Sequence, residues 1–320
     1  MKSVVFMESP LIQNFRQLLG DQIDVIEFER LSNSNFEDVI SVFTKVSTVL
    51  DHKLLEKFPN LKFIGIPATG LDLIDEDYCF KKNIKILSLR DNEATRIVSS
   101  FTSTPEIVFW HLISLMRKSH SAAKKVQEGH WDRNLFVGNN LKGSCLGILG
   151  YGRIGKVVAQ IGESFGMKVA YYDRNLNESD DKFKKCETPE ELIAFSNVMS
   201  INISASIDNA LFLDSRKLTF IKKNPFYLIN TSRGLVVDEE AIIYNLKSGS
   251  LAGYATDVLS GEGSTDGDWL KNSPICKALM DMELNVLITP HIGGATFENI
   301  TSAEIYIFRQ LKKVMLNESF

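Results

Sequence analysis

With 320 residues, 44% of them hydrophobic and 24% charged, the chain has the make-up of a globular protein long enough for two domains, since single cores stop growing at roughly 250 to 300 residues. A net charge of -4, with basic pairs such as Lys124-Lys125 and Lys312-Lys313 standing apart, gives no electrostatic footprint for nucleic acid or an anionic membrane. Cys79, Cys145, Cys186 and Cys276 lie far apart without disulfide or metal-ligand spacing, so no metal site is expected and a reduced, cytoplasmic setting is. The apolar run near the N-terminus is too short for a signal peptide, and no stretch reaches the about 18 apolar residues of a membrane span.

Strand-like apolar runs occupy residues 3–7, 25–28, 39–43, 63–66 and 84–87, separated by helical patterns. That alternation predicts parallel βαβ units. A loop at 102–105 leads into a long helical segment, whose apolar part at 106–116 is broken by Glu106, His111 and Ser114 and reads as a buried core helix. A further loop around Gly129 and Asn139-Asn140 precedes a second alternation, with strands at 146–149, 167–172, 198–203, 227–230, 253–258 and 286–289. Residues 297–316 form an amphipathic helix too short to be a domain. We expect it to return to the first unit, giving one domain from 1–103 with 291–320 and another from 104–290. A cleft between them, near residues 100 and 290, is the expected ligand site.

Residues 146–173 read LGILGYGRIGKVVAQIGESFGMKVAYYD. Glycines at this spacing can mark nothing more than a tight turn. Here Gly150, Gly152 and Gly155 follow a buried-strand run and open a helix, and the next strand ends in Asp173. This is the setting of a dinucleotide fingerprint: bare backbone admits a pyrophosphate to the helix N-terminus, and the acid about 20 residues on bonds a ribose 2′-hydroxyl.

Three further segments each follow a strand, and so would open at the carboxyl edge of a sheet: INTSRGLVVDEEA (229–241), GYATDVLSGEG (253–263) and ITPHIGGAT (288–296). Singly, Arg233 could be a turn arginine, Glu262 a surface acid and His291 a packed histidine. Together they are the parts needed to reduce a 2-keto acid. A guanidinium holds a carboxylate through paired bonds and polarises the adjacent carbonyl. A histidine titrates near neutrality and can deliver a proton, and an acid beside it favours its charged form.

At this point the chain resembles the D-isomer-specific 2-hydroxyacid dehydrogenases. The resemblance runs through FPNLKFIGIPATGLDLID, LKGSCLGILGYGRIGKVVAQIGESFGMKV, INTSRGLVVDEEA, ATDV followed by Glu262, and TPHIGGAT. It implies two doubly wound parallel-sheet domains, a Rossmann nucleotide-binding domain and a flavodoxin-like substrate domain, and it implies NAD as cofactor. It further implies Arg233 as substrate anchor, Glu262 as partner of the histidine and His291 as acid/base. By the same resemblance Asp257 lies near the nicotinamide amide, Arg153 and Ile154 cover the pyrophosphate, and Thr231, Ser232 and Arg233 pass the nicotinamide ribose. Ala68, Thr69 and Gly70 match the loop whose backbone N–H groups hold the substrate carboxylate. A homodimer through the nucleotide domains, with residues 104–131 contributing, is implied as well.

Within that family ATG (68–70), GHW (129–131) and SFGMKV (164–169) look most like glycerate dehydrogenases, also called hydroxypyruvate reductases. Leu73, INISAS (201–206) and DVLSGEG (257–263) depart from the family pattern. The expectation is NADH-dependent reduction of a small 2-keto acid to a D-2-hydroxy acid. The alternatives are D-lactate or another D-2-hydroxy acid as the physiological compound, and a nucleotide-sensing corepressor.

Overall fold

The structure, a computed structural model, describes residues 3–7, 12–19, 24–30, 36–45, 48–176, 182–204, 207–262, 268–280 and 284–317. Its chain divides into two compact units, Met1–Phe101 with Ala295–Phe320, and Thr102–Gly294.

The first unit carries five strands: β1 (Ser3–Met7), β2 (Asp24–Glu27), β3 (Val39–Thr44), β4 (Phe63–Gly65) and β5 (Lys85–Leu87). They form one all-parallel sheet in the order β2-β1-β3-β4-β5. That is the flavodoxin-like doubly wound order, reversing between β1 and β3. Both faces are covered, as a parallel sheet requires. Phe43 and Phe63 belong to one apolar cluster, and Val42 and Ile64 to the other. The C-terminal helix Phe297–Asn317 packs in this unit through Ile307, Phe308 and Leu311. Gly65 makes room for it: a Cβ there would lie 2.7 Å from Leu311 Cδ1 and 2.8 Å from Ile307 Cγ2.

The second unit holds β6 (Cys145–Leu149), β7 (Lys168–Tyr172), β8 (Lys184–Lys185), β9 (Val198–Ile201), β10 (Tyr227–Asn230), β11 (Gly253–Thr256) and β12 (Val286–Ile288). Its order, β12-β11-β10-β9-β6-β7-β8, is again all parallel. This is the Rossmann order extended by one strand, and the winding reverses between β6 and β9. Alternate residues feed opposite cores: Leu146, Ile148 and Ile229 one, Leu149, Ile201 and Leu228 the other. Strands buried on both faces are apolar at most positions, with Ser200, Asn230 and Thr256 as buried polar exceptions, which is why these read as apolar runs.

Two details differ from the pattern expected of the sequence. The edge strand β8 consists of two lysines, and the long helical segment is two helices, Ser103–Arg117 and Ser119–Gln127, parted by Lys118 at φ 51°. Ala205 and Ser206 of INISAS, and Gly263 with the four residues after it, lie outside the described residues. Among the described residues no helix is long and apolar enough to cross a membrane.

Candidate active site

The three fingerprint glycines meet three different steric demands. Gly150 turns at φ +92°, and a Cβ on it would lie 2.8 Å from Asn202 C and Ile203 N of the loop after β9. Gly155 sits where a Cβ would come 2.1 Å from Gly150 O and 3.0 Å from Ile148 Cγ2, so the helix Arg153–Ser164 can rest on β6 only with glycine there. Gly152, the residue before that helix, is exposed and a Cβ on it would meet nothing within 4 Å. The bareness of Gly152 serves no contact inside the protein. It leaves open the approach to a helix N-terminus whose N–H groups and dipole attract anions.

Arg153 and Ile154 begin the helix and are partly buried, and burial lowers the Arg153 pKa. Asp173, just after β7, is partly exposed. One carboxylate oxygen accepts the Tyr151 N–H at 2.8 Å and the other accepts the Asn175 N–H at 2.9 Å, which fixes the acid against the glycine turn. Arg174 next to it is exposed, and its guanidinium donates to Asn209 Oδ1 at 3.4 Å. Asp173 and Arg174 line an open depression of about 240 Å³ together with Tyr172, Leu176, Lys185, Cys186 and Glu187.

The carboxyl ends of β10, β11 and β12 bring the remaining residues together. Buried Asn230 shapes the first loop: its Oδ1 accepts the Ser232 N–H at 3.0 Å and its Nδ2 donates to Arg233 O at 3.0 Å. The Ser232 hydroxyl donates to Ile203 O, tying this loop to the one after β9. Arg233 has extended backbone and is partly exposed, and its Nη1 donates to Ser232 O at 2.8 Å. Beside it, a Cβ on Gly234 would lie 2.0 Å from Leu259 C and 2.1 Å from Ser260 N, so glycine lets the loops after β10 and β11 touch. Buried Glu239 then accepts the Ser260 N–H at 3.0 Å, fixing the turn that leads to Glu262.

Glu262 and His291 meet: a Glu262 carboxylate oxygen is hydrogen-bonded to His291 Nδ1, with the two side chains 34% and 39% exposed. His291 is therefore not a packed core residue. Its backbone adopts φ +53°, a conformation uncommon for a residue with a side chain and typical of functional sites. Asp257, 2% exposed, holds that turn: Oδ1 accepts the Ile292 N–H at 2.9 Å, Oδ2 accepts the Gly293 N–H at 2.6 Å, and its carbonyl accepts the His291 N–H at 2.9 Å. With Nδ1 engaged by the acid, the imidazole presents Nε2 for proton exchange.

In the first unit, Ala68, Thr69 and Gly70 follow β4. The loop is held by the Leu89 N–H on Ala68 O at 2.9 Å and by Arg90 Nε on Thr69 O at 2.8 Å. The Thr69 and Gly70 N–H groups have no acceptor among the described residues.

Two observations show that the second unit fits a dinucleotide. At Gly152 a Cβ would meet no protein atom within 4 Å, which leaves the helix N-terminus open, and Thr231 Oγ1 is buried without a partner among the described residues, at the segment expected to pass a ribose. Motif reasoning missed Asn230, Gly234, Glu239, Thr289 and His111, which shape the site through backbone contacts and buried bonds. Of these, only Gly234 carried a readable signal, a glycine directly after the arginine.

A reversing parallel sheet, a helix N-terminus opened by glycine and an acid at the end of the next strand define a dinucleotide-binding α/β protein, here with a histidine–carboxylate pair at the same sheet edge. The model of the D-isomer-specific 2-hydroxyacid dehydrogenase NAD-binding domain matches residues 109–293. The chain belongs to that family of NAD-dependent oxidoreductases. It is 32% identical over 271 residues to the glyoxylate reductase of Thermococcus litoralis, covering 82% of this chain and 76% of that one. It is 30% identical over 321 residues to the D-3-phosphoglycerate dehydrogenase of Bacillus subtilis, covering 94% of this chain, which spans only 56% of that relative. The Aquifex aeolicus D-lactate dehydrogenase solved with NAD and lactic acid superposes with a TM-score of 0.79 at 25% identity, covering 99% of this chain and 96% of the other.

Proposed function

We propose that the chain reduces a small 2-keto acid to the D-2-hydroxy acid with NADH, with glyoxylate and hydroxypyruvate as the preferred acceptors. The observation that carries this reading is the Glu262–His291 pair, an imidazole bonded to an acid through one nitrogen and offering the other. NADH, when bound, supplies the hydride. Arg233 holds the substrate carboxylate through paired bonds and draws electron density from the carbonyl. His291 donates the proton that the carbonyl oxygen needs as charge develops on it, and Glu262, bonded to Nδ1, orients the ring for that transfer. In the oxidative direction the neutral ring takes that proton back.

Ala68, Thr69 and Gly70 would offer backbone N–H groups to the carboxylate. Gly152, Arg153 and Ile154 would take the pyrophosphate, with Gly150 and Gly155 shaping the turn that admits it, Asp173 the adenosine ribose, and Thr231, Ser232 and Asp257 the nicotinamide end. The choice of acceptor is supported by the ATG, GHW and SFGMKV motifs and by the glyoxylate reductase relative. A homodimer through the second unit is part of the proposal, supported by apolar side chains at its surface: Trp131 is 89% exposed and Val137 75%.

The test is the loss of NADH absorbance with a panel of glyoxylate, hydroxypyruvate, pyruvate and a branched 2-keto acid. Highest kcat/KM on the first two supports the assignment. Highest kcat/KM on pyruvate would make it a lactate-forming enzyme, and turnover of none with NADH still bound would favour a sensor.

A further inference from the structure

A buried hydrogen-bond chain runs from the helix Ser103–Arg117 to the turn that carries His291. Thr289 Oγ1 lies 2.6 Å from Asp257 Oδ1 and 3.0 Å from His111 Nε2. The three residues are 9%, 2% and 0% exposed. The proton positions follow from the partners. A carboxylate only accepts, so Thr289 donates its hydroxyl proton to Asp257. The hydroxyl oxygen is then left as an acceptor, so His111 donates from Nε2–H and its Nδ1 is the bare nitrogen. That nitrogen is buried and has no partner among the described residues.

Leucine, as at the neighbouring Leu112 and Leu115, would fill this space without burying an unpaired nitrogen, an arrangement native cores rarely keep. What histidine adds over leucine is one N–H aimed at Thr289. Each bond in such a chain polarises the next. At the far end Asp257 receives the Ile292 and Gly293 N–H groups, and Thr104 Oγ1 donates to Gly293 O at 3.2 Å, which together keep His291 at its unusual backbone angle. Gly293 is fitted to this: a Cβ on it would lie 2.8 Å from Asp257 Oδ2.

We propose that His111 is a positioning residue, orienting the Thr289 hydroxyl onto Asp257 and so fixing the turn that presents His291. The proposal rests on His291 being the acid/base of the reading above. The ring stays neutral at assay pH, since burial lowers its pKa to about 4.

The experiment compares full-length parent, His111→Leu, His111→Gln and Thr289→Val. Glutamine can return an N–H near the position of Nε2, and leucine cannot. Hydrogen exchange is followed on peptides covering residues 289–294, with β6 as an internal reference, beside melting temperature, NADH affinity and kcat. His111→Leu should speed exchange at 289–294 without changing β6 and should lower kcat about tenfold, the worth of one buried hydrogen bond. NADH affinity should stay within about twofold and the melting temperature should not fall, because the change removes an unpaired buried nitrogen. His111→Gln should recover most of the loss, and His111→Leu added to Thr289→Val should cost nothing further. Parental exchange at 289–294 in His111→Leu overturns the proposal, as does a kcat loss that only tracks lower stability and is not recovered by glutamine. If exchange responds as described while no keto acid is reduced by the parent, positioning stands and the functional reading falls.

Discussion

Gly152→Ala and Gly155→Ala introduce the same methyl group three residues apart and should do opposite things. At Gly152 the backbone, φ -78° and ψ -159°, suits alanine, and a Cβ meets nothing within 4 Å. Alanine is the poorer helix cap by up to about 1 kcal/mol, but it lowers the entropy of the unfolded chain by a comparable 0.4 to 1 kcal/mol. Stability should hold. At Gly155 the Cβ would stand 2.1 Å from Gly150 O, and Gly150 cannot retreat because it abuts Asn202 and Ile203. Overpacking of this kind costs about 1 to 3 kcal/mol, offset by about 1 kcal/mol of helix propensity. A domain of this size loses roughly 2 to 4 °C per kcal/mol, so the net of up to about 2 kcal/mol should lower the melting temperature of Gly155→Ala by up to about 8 °C. Binding reverses the order. If a pyrophosphate lies against Gly152, the methyl group occupies its place, and about 1 to 3 kcal/mol of crowding weakens NADH roughly fivefold to 150-fold. Thermal melts and NADH fluorescence titration measure both. Gly152→Ala with NADH affinity within threefold of parent would refute the assignment of that space to the pyrophosphate.

Arg233→Lys keeps the charge and loses the paired geometry, so kcat/KM for keto acids should fall at least about thirtyfold, the lower end of the roughly 2 to 5 kcal/mol for breaking such a pair. A fall of less than threefold would remove Arg233 as anchor. Asp173→Ala should narrow the ratio of kcat/KM with NADH to that with NADPH, since the carboxylate that would bond a 2′-hydroxyl and repel a 2′-phosphate is gone. An unchanged ratio would point to Arg174 and its neighbours instead. His111 has a pKa of about 4 in the fold, below its ordinary 6.5, so the unfolded chain binds more protons between those values. Above pH 6.5 the ring is neutral in both states and this linkage is absent; as pH falls toward 4 it costs the fold stability, by about 3 kcal/mol at most. Denaturant titrations of His111→Leu across this window should show a flatter acid slope than parent.

Where a strand is buried on both faces its composition is forced, and β3, β6, β9, β10 and β11 are readable as apolar runs with ends correct to within two residues. The edge strand β8 is two lysines, which protect an exposed edge and look like any surface pair, so nothing in the sequence marks it. The helix break at Lys118 is equally silent, because a lysine gives no sign of a left-handed backbone. The site divides the same way. The fingerprint glycines were legible because each spacing answers one steric need, whereas the meeting of Glu262 with His291 could be inferred only from three motifs at three strand ends. His111 stands among apolar helix residues, where the sequence shows only a break in the apolar run of a buried core helix. Its partner Thr289 lies 178 positions away, a pairing that only the fold brings together.

In the proposed reaction His291 is the group that exchanges the proton. Single-turnover oxidation of bound NADH by a saturating 2-keto acid, in parent and in His291→Ala, tests it most directly, because removing one general acid costs typically 10² to 10⁴ in rate. His291→Ala should bind NADH as parent does and transfer hydride at least about a hundredfold more slowly. Hydride transfer in His291→Ala at the parental rate, or a parent that oxidises no NADH with any 2-keto acid, would contradict it.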